Sequence, residues 1–268
     1  MIVWIASYPK SGNTWVRLFL KKYLKHIDHN FHLGNFPDVK QFENLKINYQ
    51  NFEDIIKNWS ALQSIQNLNS KINLIKTHNA LCTIGKYKFT DKTNTLSAIY
   101  LVRDPRDVLV SYAHHLGQTH HQVLRGMLDS YNGEQSNFKG KNYRRSLLGK
   151  WSDHYNSWKS YKDREVLIVK YEDLVQKTEL QFLRILNFLK KINDMKIDNE
   201  KLRKTIDETS FENLKKNEKE RGFNEATKHG VFFRKGIVGD WRNNLDDTIY
   251  KTLEKEFEVE MKELGYII

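Results

Sequence analysis

The stretch "WIASYPKSGNTWVRLFL", Trp4 to Leu20, sets a Pro-Lys-Ser-Gly-Asn-Thr run between an apolar segment and one whose large residues recur at helical spacing. Ile2 to Ala6 read as a short buried strand, and Trp15, Leu18, Phe19 and Tyr23 fall on one face of a following helix. A loop that leaves a buried strand and opens a helix offers unpaired backbone N–H groups and the positive end of the helix dipole, which together suit a phosphate. Gly12 permits close backbone approach, Lys10 adds a point charge, and Ser11 and Thr14 add hydroxyl donors. The spacing is not that of the nucleoside-triphosphate loop, which needs Gly, four residues, then Gly-Lys-Ser/Thr; here the only loop glycine follows the lysine. No strand end clearly offers a magnesium-binding acid. Taken alone, the loop reads equally as an ordinary strand-to-helix turn with a solvated lysine.

Further strands follow at "INLIKT" (Ile72 to Thr77), "SAIYLVR" (Ser97 to Arg103) and "EVLIVKY" (Glu165 to Tyr171). The third strand of the four runs into "DPRDVLVSYAHHL", where Asp104 can cap and Pro105 can open a helix; the fourth is followed by the helical pattern "ELQFLRILNFLKKI". Near-continuous apolar strands alternating with amphipathic helices predict an α/β class: a single domain over residues 1–268, with a central parallel sheet flanked by helices and a P-loop-like strand–loop–helix at its start. Ligands of such sheets sit at the carboxyl ends of the strands, so "SYPKSGN", "KTH" and "RDPRD" are expected to converge. Asp28 to Ser70 and His114 to Arg145 are long for connections and read as binding loops or lids. The carboxyl-terminal "LDDTIYKTLEKEFEVEMKELGY" reads as one amphipathic helix.

Composition narrows the function less than the motifs do. With 39% hydrophobic and 29% charged residues, the chain is globular and not disordered. No run approaches the roughly 20 apolar residues that span a bilayer, and the amino terminus lacks the basic-then-apolar order of a signal peptide, so a cytoplasmic protein without stable membrane insertion is expected. The single cysteine, Cys82, excludes an intrachain disulfide and a Cys-rich metal site. Forty-four basic against 33 acidic residues leave a net charge of +11, a surface that attracts anions of any kind. Heavy use of Lys, Asn and Ile throughout makes part of that excess a compositional habit.

Two further segments add anion-binding potential. "YLVRDPRDVLVSYAHH" puts Arg103 at a strand end and Ser111 inside the next helix, where both can face a second phosphate group. "FFRKGIVGDW" offers Arg234, Lys235 and the amide of Gly236 in a stretch too glycine-rich for a regular element. Each piece alone has a plainer reading, as an Arg–Asp pair and as a solvated turn.

Together, "YPKSGNTW", "RDPRDVLVSY" and "RKGIVGDW" resemble the sulfotransferases of cytosolic type that use 3′-phosphoadenosine 5′-phosphosulfate (PAPS). The resemblance runs in order from Ile2 to about Asn244 and takes in "KTH" at Lys76 to His78, "VKYEDL" at Val169 to Leu174 and "TSFENLKKN" at Thr209 to Asn217. It implies that Lys10, Ser11, Gly12, Asn13 and Thr14 hold the 5′-phosphosulfate and that Trp15 stacks on adenine. Arg103 and Ser111 then bind the 3′-phosphate with Arg234, Lys235 and Gly236; Tyr171 and Ser210 contact the adenosine side; Phe211 stacks opposite Trp15. His78 takes the place of the catalytic histidine.

The residue chemistry agrees with those roles. An attacking hydroxyl or amine must lose a proton, and a neutral imidazole with an ordinary pKa near 6.5 serves as general base near neutral pH. Lys10 and the loop amides would stabilise the charge gathering on the leaving oxygen, and Lys76, two residues before His78 on the same side of an extended segment, would steady the sulfuryl oxygens. The transferred group resembles neutral sulfur trioxide, so no metal is expected. His114 and His115 read as helix-surface or pocket-wall residues, and the His120–His121 pair has no partner set for a metal. Asn13 stands where many relatives have threonine or serine. The family's short dimer motif is not matched after "GDWRNNL", which leaves the oligomeric state unread. The expected partner is a small-molecule acceptor with a hydroxyl or amine, not nucleic acid, and Glu212 to Phe233 reads as a lid ordered by nucleotide. The alternatives are a P-loop nucleotide kinase-like phosphotransferase and a non-catalytic basic module binding anions or nucleic acid.

Overall fold

Six consecutive buried residues, Ile2 to Ser7, form strand β1, the centre of the sheet in a computed structural model that describes residues 1–24, 31–37, 39–69 and 71–268. In chain order the remaining strands are β2 (Phe31–Asn35), β3 (Ile72–Thr77), β4 (Thr83–Ile84), β5 (Tyr87–Lys88), β6 (Thr95–Val102), β7 (Gly133–Phe138), β8 (Lys141–Leu147) and β9 (Val166–Lys170). The main sheet has the order β2-β3-β1-β6-β9, with β1 parallel to both neighbours. β4–β5 and β7–β8 are antiparallel ribbons. This is the predicted α/β architecture with a central parallel sheet. Ala6 pairs with Thr77 and Ser7 with Leu101, so the carboxyl ends of β3, β1 and β6 lie level.

The chain divides into two compact units. The first comprises Met1–Tyr8, Leu24–Leu101 and Ser130–Val169, and contains the sheet; the second comprises Pro9–Tyr23, Val102–Asp129 and Lys170–Ile268. The first is centred on an aromatic cluster in which Phe89 meets Trp4, Trp59 and Trp158 at ring separations of 5.1, 5.4 and 6.2 Å. The buried Trp4 indole donates to Thr95 Oγ1 at 2.9 Å, so its polar atom is satisfied as burial requires. In the second, Phe19 stacks on Phe182 at 3.8 Å, joining the helix Asn13–Leu24 to the helix Thr178–Lys190.

The start of helix Pro105–Leu116 follows its sequence signals: the Asp104 side chain accepts from the backbone N–H of Arg106 at 2.9 Å, Pro105 occupies the first turn, and Gly117 closes the helix at φ 63°. Other expectations need correction. Asp28 to Ser70, whose residues 28–30, 38 and 70 lie outside the described residues, holds edge strand β2, the helices Val39–Asn44, Phe52–Lys57 and Trp59–Gln66, and the 3₁₀ turn Asn67–Asn69. His114 to Arg145 contains a capped helix, His120–Leu128, and most of the β7–β8 ribbon. The carboxyl-terminal segment is two helices, Asp247–Glu256 and Glu258–Glu263, interrupted at Phe257 (φ −117°, ψ 23°). Phe257 is 1% exposed, so both helices keep the same buried face across the interruption, with Leu253 and Met261.

Candidate active site

The predicted site residues fall into two clusters, one in each unit. In the second unit the loop after β1 takes a shape that only a backbone under local constraint adopts: Lys10 has φ 65° and Gly12 φ 93°. A left-handed lysine costs on the order of 1–2 kcal/mol, and left-handed residues alternating in a tight loop are the backbone pattern from which anion nests are built. A Cβ on Gly12 would stand 2.8 Å from Cδ2 of Tyr171, so that approach needs glycine as much as the dihedral does. Ser11 is fully buried, and its Oγ has no hydrogen-bond partner among the described residues. Thr14 Oγ1 donates to Glu225 at 2.9 Å, and Arg17 reaches the other carboxylate oxygen at 3.0 Å. The Lys10 ammonium lies 3.8 Å from the centre of the Phe232 ring. Asn13 is buried in the first helical turn; Trp15 packs edge-on against Phe182 and Tyr171, with its Nε1 buried and without a partner among the described residues.

Arg103 joins four separated segments. Its guanidinium donates to the carbonyls of Lys10 (3.2 Å) and Ile237 (3.1 Å), lies 3.6 Å from the Asp107 carboxylate and sits 4.3 Å above the Tyr171 ring. Asp107 in turn accepts from the backbone N–H groups of Gly239 (2.7 Å) and Trp241 (3.0 Å), tying the glycine-rich segment to the helix. Gly236, at φ 68°, lies so close to Phe211 that a Cβ would approach its ring to 2.3 Å. Ser210 caps the helix Phe211–Arg221 by accepting from the Asn213 N–H at 3.4 Å, and Ser111 is half-buried on the helix Pro105–Leu116. Arg234 and Lys235 both bond the Asp240 carboxylate at 2.7 Å. His114 has its pKa lowered by burial and then by the positive charges of Arg234 and Lys10, which marks the electrostatic sign of this neighbourhood.

These residues fit a bisphosphorylated anion. They combine a curled loop, a helix start, a cation anchored by four segments, and buried polar atoms at Ser11 Oγ, Trp15 Nε1 and Arg103 Nε that the described residues leave unsatisfied.

His78 belongs to the first unit. It lies just past β3, 8% exposed, with Nδ1 2.7 Å from the Ser7 carbonyl oxygen. A carbonyl can only accept, so Nδ1 carries the hydrogen and the lone pair of the neutral ring is on Nε2. Burial, reinforced by the charge of Lys76, lowers the His78 pKa to about 3, so the ring is neutral at any physiological pH. Glu134 on β7 opposes that shift. Burial works against its own charge, yet His78 first, then Arg145, Lys76 and a 2.9 Å hydrogen bond from Ser146 Oγ, hold its carboxyl below the usual range. Lys76, 8% exposed near the end of β3, thus shares one electrostatic neighbourhood with His78.

Glu225 and Asp240 in the second cluster and Glu134 in the first were not singled out from sequence, whereas Asp107 is, with Asp104, one of the two carboxylates that the Arg–Asp reading of Arg103 offers. Asp240 stands inside the "GDW" of a segment read there; nothing in sequence couples Glu134 or Glu225 to residues so distant in the chain. Among the described residues no three His, Cys, Asp or Glu side chains gather as a metal site.

Known proteins carry the same arrangement of elements. The family model described as "Sulfotransferase domain" matches residues 2–265. The chain is 29% identical over 262 residues to sulfotransferase 1B1 of Canis lupus familiaris, covering 92% of this chain and 81% of the relative. It is 25% identical over 278 residues to the amine sulfotransferase of Oryctolagus cuniculus, covering 97% and 81%. In fold it is similar to mouse sulfotransferase SULT7A1 complexed with PAP, with a TM-score of 0.66 at 22% identity over 97% of this chain and 84% of that one. With a match over nearly its whole length, the chain belongs to the sulfotransferase domain family.

Proposed function

We propose that residues 1–268 of this sulfotransferase act as a single domain that moves the sulfuryl group of PAPS onto a hydroxyl or amine of a small-molecule acceptor by in-line displacement, with His78 as general base, releasing adenosine 3′,5′-bisphosphate. The observation that carries the reading is the hydrogen bond from His78 Nδ1 to the Ser7 carbonyl, which leaves the lone pair of Nε2 as a proton acceptor. The names of two similar proteins support the donor and acceptor classes: one structure holds PAP, and one relative is an amine sulfotransferase.

When bound, the donor supplies a sulfuryl group already activated by its bond to phosphate. The acceptor oxygen or nitrogen forms the new bond to sulfur as the S–O bond to phosphate breaks, and the acceptor's proton passes to His78 Nε2. Lys10, Ser11, Gly12, Asn13 and Thr14 bind the 5′-phosphosulfate, with Lys10 and the loop amides stabilising the oxygen that leaves. Lys76 steadies the sulfuryl oxygens. Arg103 and Ser111, with Arg234, Lys235 and Gly236, bind the 3′-phosphate; Trp15 and Phe211 face the adenine; Tyr171 and Ser210 contact the adenosine. Arg234 and Lys235 exchange part of their bonding to Asp240 for that phosphate.

Labelled PAPS offered with a panel of alcohols, phenols and amines tests the reading, alongside titration with adenosine 3′,5′-bisphosphate. Transfer to at least one acceptor and saturable bisphosphate binding are expected; neither transfer nor binding would overturn it. We further propose that the span 212–233 is ordered by nucleotide, and protease sensitivity unchanged by bisphosphate would remove that part. We place the reaction in the cytoplasm, and recovery of the enzyme in a membrane pellet would count against that placement.

A further inference from the structure

The helix Trp151–Lys159 carries His154, Ser157 and Trp158 at helical spacing, so the three share one face. Each meets the short segment that follows β3. His154 Nε2 lies 3.1 Å from the His78 carbonyl oxygen, Trp158 Nε1 donates to the Asn79 carbonyl at 3.0 Å, and Ser157 Oγ accepts from the Leu81 N–H at 3.0 Å. The base therefore stands on a segment gripped residue by residue from one helix.

His154 is the member of that face with most to lose. It is 0% exposed, and its other nitrogen, Nδ1, lies 2.8 Å from the hydroxyl of Tyr100 on β6, itself 1% exposed. Burial lowers the His154 pKa to about 4, so the ring is neutral and has one N–H to place. The His78 carbonyl can only accept, which puts that hydrogen on Nε2. Nδ1 then accepts, and the Tyr100 hydroxyl must be its donor. Two polar side chains in a fully buried position are fully satisfied only in this one arrangement, and its far end is the peptide of the proposed base. An apolar side chain would fill the same space without desolvating polar groups.

We propose that His154 is a positioning residue for His78: its Nε2–H fixes the His78 peptide and so the aim of the His78 ring, and the Tyr100 hydroxyl fixes the His154 tautomer. This rests on the reading of His78 as the general base. His154 touches no reacting atom, so its removal acts on the chemical step through the geometry of His78 and leaves donor binding alone.

The test is steady-state kinetics with bisphosphate titration on folded His154→Leu, His154→Gln and Tyr100→Phe. His154→Leu is expected to lower kcat about 50-fold, with donor KM and bisphosphate affinity changed less than about twofold. His154→Gln places an amide N–H near the same carbonyl and is expected to recover about tenfold of that loss. Tyr100→Phe is isosteric, and is expected to cost about fivefold in kcat while the ring ¹⁵N shifts of His154 move from the Nε2–H form toward a mixture of tautomers. Because Tyr100→Phe leaves packing in place, it carries the test even if His154→Leu does not fold. A kcat within twofold of the parent enzyme in either folded His154→Leu or Tyr100→Phe overturns the proposal, as does equal loss in His154→Leu and His154→Gln. His78→Ala, run in parallel, separates the two levels. If it retains turnover, the base reading fails and the positioning role falls with it. If it abolishes turnover while His154→Leu keeps kcat within twofold of the parent enzyme, the positioning role alone fails.

Discussion

The two clusters differ in how they satisfy their polar groups. Around His78, the buried donors and acceptors of His154, Tyr100, Trp158 and Asn79 find protein partners, and the imidazole is neutral before any ligand arrives. Around the loop after β1, Ser11 Oγ, Trp15 Nε1 and Arg103 Nε are buried without partners among the described residues, and Lys10 is held in a left-handed conformation. Buried polar groups without partners are costly, so a fold retains them where a ligand supplies the missing bonds. One region is finished by the protein and can act on a proton; the other is built to be finished by an anion. The division predicts that chemistry and donor binding are separable by mutation.

The sharpest break between them is His78→Ala, expected to lower kcat by about 10³-fold, within the range of a lost general base, with bisphosphate affinity nearly unchanged by calorimetry. Arg103→Ala tests the converse. It removes the cation that links Lys10, Asp107, Ile237 and Tyr171, and is expected to raise the donor KM and weaken bisphosphate binding about 50-fold while kcat at saturation falls less than about fivefold. An unchanged donor KM would take Arg103 out of the phosphate site.

The pH dependence of stability is largest at the first cluster. His78 and His154 have pKa values lowered to about 3 and about 4, whereas in the unfolded chain both titrate near 6.5. Below that pH the unfolded state binds protons that the folded state refuses. Their contribution is complete above about pH 6.5 and is lost as pH falls toward 4, at up to about 1.4 kcal/mol per pH unit for each histidine. Urea unfolding at pH 7, 5.5 and 4.5 measures this, and His154→Gln is expected to flatten the fall. The smallest expected effect is Asp240→Asn, which frees Arg234 and Lys235 from their shared carboxylate and is expected to tighten bisphosphate binding about threefold at low salt, an advantage that shrinks as salt rises.

Sequence and structure agree where the determinants are local. The Ile-, Leu- and Val-rich runs announced β1, β3, β6 and β9, and Asp104, Pro105 and Gly117 bounded a helix by capping chemistry that acts over one turn. Edge strand β2, "FHLGN", escaped because a strand covered on one side needs no continuous apolar run, and glycine and histidine mask its period. The β7–β8 ribbon, polar along most of its length, carried no alternation to read. Among site residues, the sequence motifs exposed those that face an anion, since glycine, lysine and arginine are needed at fixed spacing there. Glu134 and His154 act by pairing with groups far away in the chain, as Asp107 does through the amides of Gly239 and Trp241, and nothing local distinguishes a buried partner carboxylate or imidazole from a surface one; Asp240 pairs within its own segment, with Arg234 and Lys235. The β3 terminus gave His78 as a candidate, but its tautomer depends on the Ser7 carbonyl, which only the sheet register brings alongside.

The central claim is that His78 waits as a neutral imidazole whose free nitrogen is Nε2. Ring ¹⁵N spectroscopy of the enzyme, with His78 assigned through His78→Ala, tests it most directly. A protonated Nδ1 and an unprotonated Nε2 are expected for His78, with no change between pH 8 and about pH 5. A His78 ring that titrates near pH 6.5, or that carries its proton on Nε2, would contradict it.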